Sequence, residues 1–187
     1  MTVRSDPRLP SWAEVTPERL AHVERVAALA DDWATRMRVP EPERRRWLRA
    51  VWLHDALRDA AAASLERWAP DAPGPPELRH GPASAACAET RGERDRGVLD
   101  AVRQHSVGYA GWEMVGRVLY CADYLEPGRS FQRERRAELA RRFPDDPAGV
   151  VAQVAADRIV HVLRSGWPLL DVTVDFWNSL VEPFASR

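Results

Sequence analysis

The chain has 187 residues, 45% apolar and 29% charged, values that suit one folded domain and exclude both a disordered segment and a string of membrane spans. Acidic and basic residues nearly cancel to a net charge of −1, so no global field draws the protein to nucleic acid or to an anionic membrane. Any phosphate recognition has to be local, and all 27 basic residues are arginine, whose planar fork grips a phosphate through two hydrogen bonds.

The first helix is announced by Thr16 as cap and Pro17 at the first helical position, followed by Val23, Val26, Leu29, Ala30 and Trp33 at helical spacing. His22 rides the same stripe and points inward, where a histidine is either a satisfied core residue or a ligand. A second helix is predicted from near Pro42 through Trp47, Leu48, Val51 and Leu53 to His54 and Asp55, fading into the alanine-rich stretch 60–63. The proline-rich stretch 70–76 is a loop, because proline lacks a donor and restricts its predecessor. His80 stands just beyond it, at the entrance to a small-residue helix over 83–89.

Val98, Ala101, Val102 and His105 share the apolar stripe of a further helix, with Gly108 shortly past its end. The next helix carries Val115, Val118, Leu119 and Ala122, and brings Asp123 close to an apolar face before Pro127 and Gly128 end the run. Amphipathic helices over 133–143, 148–163 and 172–181 follow, with Gly166 and Pro168 between the last two. No alternating strand pattern of convincing length occurs. The fold class is therefore all-α, a compact multi-helix bundle in one domain spanning 1–187, with a core of chemistry in about 16–130 and closing helices in about 131–187.

Only Cys87 and Cys121 are present, both in apolar helical contexts, and the N-terminus lacks the apolar run of about 7 to 15 residues that a secretory signal needs. A cytoplasmic setting without a structural disulfide is expected. The short basic runs 44–46 and 133–136 are mixed with glutamate and read as solvated helix faces, not as a nucleic-acid footprint.

Four of the five histidines and two aspartates fall on inward faces or helix ends, in the order His22, His54-Asp55, His80, His105, Asp123. Imidazole and carboxylate are the ligands preferred by iron, manganese and zinc, and burying them is costly unless they are coordinated. A two-metal site needs about six ligands, including a carboxylate able to bridge. Asp55 is the natural bridge; His22, His54 and Asp123 complete one site, His80 and His105 the other. Metal-assisted hydrolysis of a phosphate ester or anhydride is the chemistry such a set performs, with solvent hydroxide attacking phosphorus. Charge developing on the phosphates calls for cations, and Arg58, one turn after His54, and Arg129 are the candidates. Asp59 is placed to orient Arg58 or to exchange a proton. Ser106 and Gly108 offer a hydroxyl and a backbone donor to a phosphate, and Trp112 offers a ring for a base to stack on. Tyr124 and Glu126 are read as shaping the turn after Asp123, and His161 as a core or surface residue.

At these residues the sequence resembles the HD-domain phosphohydrolases, whose defining elements are a first His, a His-Asp doublet and a late Asp. More narrowly it resembles their YqeK-type branch, the symmetrical bis(5'-nucleosyl)-tetraphosphatases. The segments that carry the resemblance are Arg19-Leu-Ala-His22, Leu53-His54-Asp55-Ala-Leu-Arg58, His80-Gly-Pro82, Gln104-His105-Ser-Val-Gly108 and Ala122-Asp123-Tyr-Leu-Glu126-Pro-Gly-Arg129, with Thr173 and Asn178 near the end. The related pattern usually carries lysine where this chain has Arg58. The resemblance implies two divalent metal ions, iron first with manganese or zinc as alternatives, and cleavage of diadenosine tetraphosphate in its middle to two ADP. The partner is then a small nucleotide, with neither nucleic acid nor membrane, in a monomer or homodimer. Two other readings fit the same residues: an HD-type phosphohydrolase acting on another nucleotide, and a metal-bound nucleotide sensor without turnover.

Overall fold

The computed structural model describes residues 9–181. Among these residues the chain forms nine α-helices and no strand: α1 (Pro17–Arg36), α2 (Glu41–His54), α3 (Ala62–Trp68), α4 (His80–Thr90), α5 (Arg96–Gln104), α6 (Met114–Leu125), α7 (Arg133–Arg142), α8 (Pro147–Arg164) and α9 (Asp171–Leu180). The all-helical architecture is the one the periodicity predicts. Thr16 caps α1 as expected, its hydroxyl accepting from the Arg19 amide at 3.2 Å, with Pro17 at the first position.

The second helix stops sooner than its alanine-rich sequence suggests. Its last residue is His54, and the stretch 60–63, expected as a fading end, instead opens the separate helix α3. The cause is a tie to the segment before α1. The Glu14 amide donates to the Ala56 carbonyl at 2.7 Å and the Asp59 amide to the Glu14 carbonyl at 3.3 Å, which draws the backbone out of the helical path just after the His-Asp doublet. The proline stretch is a loop, as expected, followed by a single 3-10 turn (Pro76–Leu78) that delivers His80 to the first position of α4.

Helices α1, α2, α5 and α6 pack around a core of Val26, Trp33, Val51, Val102 and Val118, each fully buried, with α4 laid against α2 and α5. Burying a side chain of this size contributes roughly 1.5–3 kcal/mol. Trp33 stacks on Phe143 with ring centroids 3.9 Å apart and donates its indole N–H to the Ala140 carbonyl, which fixes α7 against α1. Phe176 of α9 packs edge-on against both Trp112 and Tyr120 and covers Gly108. Gly108 has φ +89°, and a Cβ there would stand 2.2 Å from the Phe176 ring, so both the backbone conformation and the close approach require glycine.

Two surface expectations are corrected. Trp112 is a core residue, buried against Tyr120 and Phe176 with its N–H on the Asp100 carbonyl, so its ring is not available to a base. Arg136 does not lie on a solvated face. It is buried and donates to the carbonyls of Tyr124, Glu126 and Arg129, satisfying the C-terminal end of α6 and the turn behind it. Within the run 44–46, Arg44 pairs with Asp31, and Arg46 with Glu43, Asp95 and Glu113. Cys87 and Cys121 are buried free thiols, and His161 is exposed against Trp167. No helix among the described residues is long and apolar enough to cross a membrane.

Candidate metal centre

His22, His54, Asp55, His80, His105 and Asp123 come from five helices and converge in one buried cluster, each at most 8% exposed. His22 sits within the second turn of α1, whereas His54, Asp55 and His105 lie at the ends of α2 and α5, and Asp123 in the last turn of α6. Helix ends suit this task. The last-turn carbonyls lack amide donors, and the partial negative charge at a C-terminus favours a cation.

Those carbonyls also fix the imidazole tautomers. Nδ1 of His54 meets the Val51 carbonyl at 2.6 Å, Nδ1 of His105 the Val102 carbonyl at 2.8 Å, and Nδ1 of His80 the Glu77 carbonyl at 2.8 Å. Nδ1 of His22 faces the Glu126 carboxylate at 3.2 Å. These acceptors can only accept, so Nδ1 of His22, His54 and His105 carries a proton, and Nε2 of His54 and His105 is left with its lone pair towards the interior; Nδ1 of His80 also lies 3.2 Å from Arg58 Nη1.

The cluster fits divalent cations on its own geometry. Nε2 of His54 is buried without a hydrogen-bond partner, and Nε2 of His22 is buried with only the Asp123 carboxylate near it, at 3.1 Å. Nε2 of His80 and of His105 lie 3.1 Å apart, close enough for both to ligate one cation placed beside them. Asp55 divides its two oxygens between the halves: Oδ1 lies 3.3 Å from His80 Nε2 and 3.7 Å from His105 Nε2, and Oδ2 lies 3.6 Å from His54 Nε2 and 3.8 Å from His22 Nε2. Two triads have ligand atoms all within 4.8 Å of one another, His22–His54–Asp123 and His54–Asp55–His105. His54 thus stands between the halves, closer to the second set than its place in the sequence suggests, while His80 joins that set through His105.

Charge is arranged to match. Burial opposes ionisation of Asp123, yet the His22 contact and the Arg158 and Arg129 guanidinium groups hold its carboxyl well below the usual range. Burial likewise opposes ionisation of Asp55, and the surrounding imidazoles, His54 first, hold it low. Burial lowers His54, and burial with the neighbouring His80 and His54 takes His105 down to about 3, so both rings stay neutral and ready to ligate. At His22 the carboxylates of Asp123 and Glu126 outweigh burial and raise it to about 8. A proton on its Nε2 occupies the place a cation would take.

Around this cluster stands a ring of arginines. Arg19 Nη1 donates to Asp55 Oδ2 at 2.9 Å, Arg129 Nη2 to Asp123 Oδ1 at 2.8 Å and Arg158 Nη2 to Asp123 Oδ2 at 2.8 Å. Arg25 holds Glu126 at 2.6 Å, and Glu126, fully buried, also accepts from the Gly128 amide. Arg58 donates to the Glu77 carbonyl at 2.8 Å, sharing that acceptor with His80. Asp59 Oδ2 accepts from both the amide and the hydroxyl of Thr16, and its Oδ1 lies 4.0 Å from Arg19. Ser106 is half-buried at the rim of a cavity of about 340 Å³ that it shares with Trp68, Leu78, Gln104 and Leu170. The Gly108 amide donates to the Gln104 carbonyl.

Sequence reasoning missed the parts of Glu126, Arg25 and Arg158. Glu126 carries a signal in the Glu-Pro-Gly-Arg element, where the structure shows it orienting His22 besides ending the helix. Arg158 lies in a helix whose pattern speaks only of amphipathic packing, and Arg25 has no local signal.

The chain is 31% identical over 108 residues to a protein of Bacillus subtilis (strain 168) named "Bis(5'-nucleosyl)-tetraphosphatase, symmetrical", covering 57% of each chain. It is 27% identical over 106 residues to a protein of the same name from Halalkalibacterium halodurans, covering 56% of each. The chain therefore spans little more than half the length of the curated relatives it matches. The fold superposes with a TM-score of 0.75 on the crystal structure of a Clostridium acetobutylicum protein described as a "predicted HD superfamily hydrolase involved in NAD metabolism", at 23% identity over 89% of this chain and 90% of that one. The HD domain family model matches residues 19–144, the stretch that supplies all six clustered residues, and the chain belongs to the HD domain family.

Proposed function

We propose that this chain is a metal-dependent hydrolase that cleaves diadenosine tetraphosphate symmetrically to two ADP, a reaction on a small nucleotide carried out in the cytoplasm. One observation carries the reading: the Nε2 atoms of four buried imidazoles surround a carboxylate whose two oxygens divide between them. The names of the two curated relatives supply the substrate class.

In this reading His22, His54, Asp55 and Asp123 hold one divalent ion and Asp55, His80 and His105 the other, with iron first and manganese or zinc as alternatives. Two such ions supply Lewis-acid polarisation of a phosphoryl oxygen and the acidification of water that anhydride hydrolysis needs at neutral pH. Water adds across the central P–O–P bond, and each product keeps its nucleoside and two phosphates. Asp55 bridges the two halves. Arg129, 36% exposed, is the cation that turns from Asp123 towards the phosphates as charge builds on them. Arg58 steadies His80 through the shared Glu77 carbonyl and offers its remaining donors to the substrate. Asp59 serves the reaction indirectly, by holding the start of α1 and the neighbouring Arg19 against Asp55. The Ser106 hydroxyl is the substrate donor in its loop, and Gly108 shapes that loop, since its amide is already used.

The test is to incubate metal-loaded protein with diadenosine tetraphosphate and separate the products by chromatography. ADP alone is expected, and no ADP from a His54→Ala, Asp55→Ala double variant. ATP with AMP, or no cleavage by protein that holds metal, would overturn the reading.

A further inference from the structure

We propose that Arg158 of α8, outside the 19–144 stretch that carries the cluster, is a positioning residue that fixes Asp123 for metal binding from behind and leaves Arg129 as the exchangeable cation. The inference rests on the cluster being a metal centre. The two oxygens of Asp123 have different surroundings. Oδ1 faces the imidazole side, 3.1 Å from His22 Nε2, and is shared with Arg129 Nη2. Oδ2 is held by Arg158 Nη2 at 2.8 Å. A cation entering beside His22 would take Oδ1 and displace Arg129 from it, whereas Arg158 stays in place on Oδ2.

Arg158 is built to stay. Its guanidinium lies 4.5 Å from the Tyr120 ring centroid and 5.3 Å from that of Tyr124, and it donates to the Tyr120 carbonyl at 3.2 Å and to the Ser106 carbonyl at 3.4 Å. Ser106 directly follows His105, so one side chain spans both halves of the cluster. Its side chain is 19% exposed against 36% for Arg129, whose guanidinium sits on the turn after α6. A guanidinium sandwiched between rings and carbonyls holds one geometry; one at an open turn can swing to a phosphate. Hydrogen bonding to a ligating carboxylate sets its orientation and therefore the affinity of the site.

The experiment is a calorimetric titration of the chelator-stripped full chain with manganese, together with its thermal midpoint before metal is added. Arg158→Met, which keeps length and apolar contact but removes the donor, is expected to weaken manganese binding roughly 10- to 100-fold. Arg129→Met is expected to change it by less than about threefold, since in this account the ion takes the place of that guanidinium. Arg158→Lys, which offers one donor in place of a fork, is expected to fall between wild type and Arg158→Met. Unchanged or tighter manganese binding by Arg158→Met, with only its midpoint lowered, would make Arg158 a packing residue and overturn the inference. Should Arg158→Met fail to fold, Arg158→Lys decides: weaker binding at an unchanged midpoint supports the inference, and wild-type binding overturns it. A wild-type chain that takes up no manganese would overturn the metal-centre reading itself, which the variant comparison leaves standing.

Discussion

Each imidazole of the cluster is oriented through its outer nitrogen, three by carbonyls and His22 by the buried carboxylate of Glu126. Glu126 is thus the residue whose change should travel furthest. Glu126→Gln keeps the volume but removes the charge facing Arg25 and His22, and is expected to lower manganese affinity roughly 10-fold or more and unfolding stability by about 1–3 kcal/mol. Calorimetry and urea titration on the same preparation check both, and unaltered metal affinity would show that Glu126 only closes the helix. The six clustered residues were legible in the sequence because histidine and aspartate are rare on apolar stripes and their order is distinctive. Their anchors were less so. A carbonyl three residues back leaves no mark in the sequence, and Arg25 and Arg158 reach the site from exposed-looking positions across long sequence separations.

At the scale of elements, the ligands depend on where helices stop. The end of α2 at His54 was hidden from periodicity because helix-favouring alanines follow it, and the break comes from pairing with residue 14, a long-range contact. The start of α5 is a local device: Asp95 accepts from the Val98 amide at 3.1 Å and takes both nitrogens of the Arg46 fork. Asp95→Ala is expected to cost about 1–2 kcal/mol at neutral pH, most of it from the lost cap because the Arg46 pair is partly solvent-screened. Arg46 first, against burial and with the Val98 and Gly97 amides helping, holds the Asp95 carboxyl below its ordinary 3.8. A folded-state value below the unfolded one adds stability that is full above that ordinary value and lost as the pH falls through the folded one. The gap between wild type and variant in urea midpoints should therefore be wide at neutral pH and narrow in acid below about 3.8; a gap independent of pH would contradict the assignment. Gly108→Ala tests the docking of α9. With φ at +89° and the Phe176 ring in the way, it should destabilise by at least about 1–3 kcal/mol, and a neutral substitution would mean that α9 can leave its seat freely.

For the whole molecule, α8 and α9 are part of the same body as the cluster. Val150, Val151 and Val154 are fully buried in the core that contains Val118 and Leu119, and Phe176 reaches it from α9. We propose that the chain is one cooperative domain, so that thermal unfolding followed by circular dichroism and by tryptophan fluorescence should give coincident transitions, whereas two separated transitions would divide the metal core from the closing helices. The order of eight of the nine helices was legible in the sequence, because apolar spacing and capping residues are local; α3 was not, because its alanines read as the tail of α2. The packing of α8 behind Asp123 was not, since it is decided by contacts between distant helices. Whether the buried cluster holds a pair of divalent ions is decided by elemental analysis of the purified chain after saturation with iron, manganese or zinc and removal of the excess. About two ions per chain are expected for wild type and fewer than about one for the His54→Ala, Asp55→Ala double variant. A wild-type chain that retains no ion, or a double variant that retains as many, would contradict the two-metal reading.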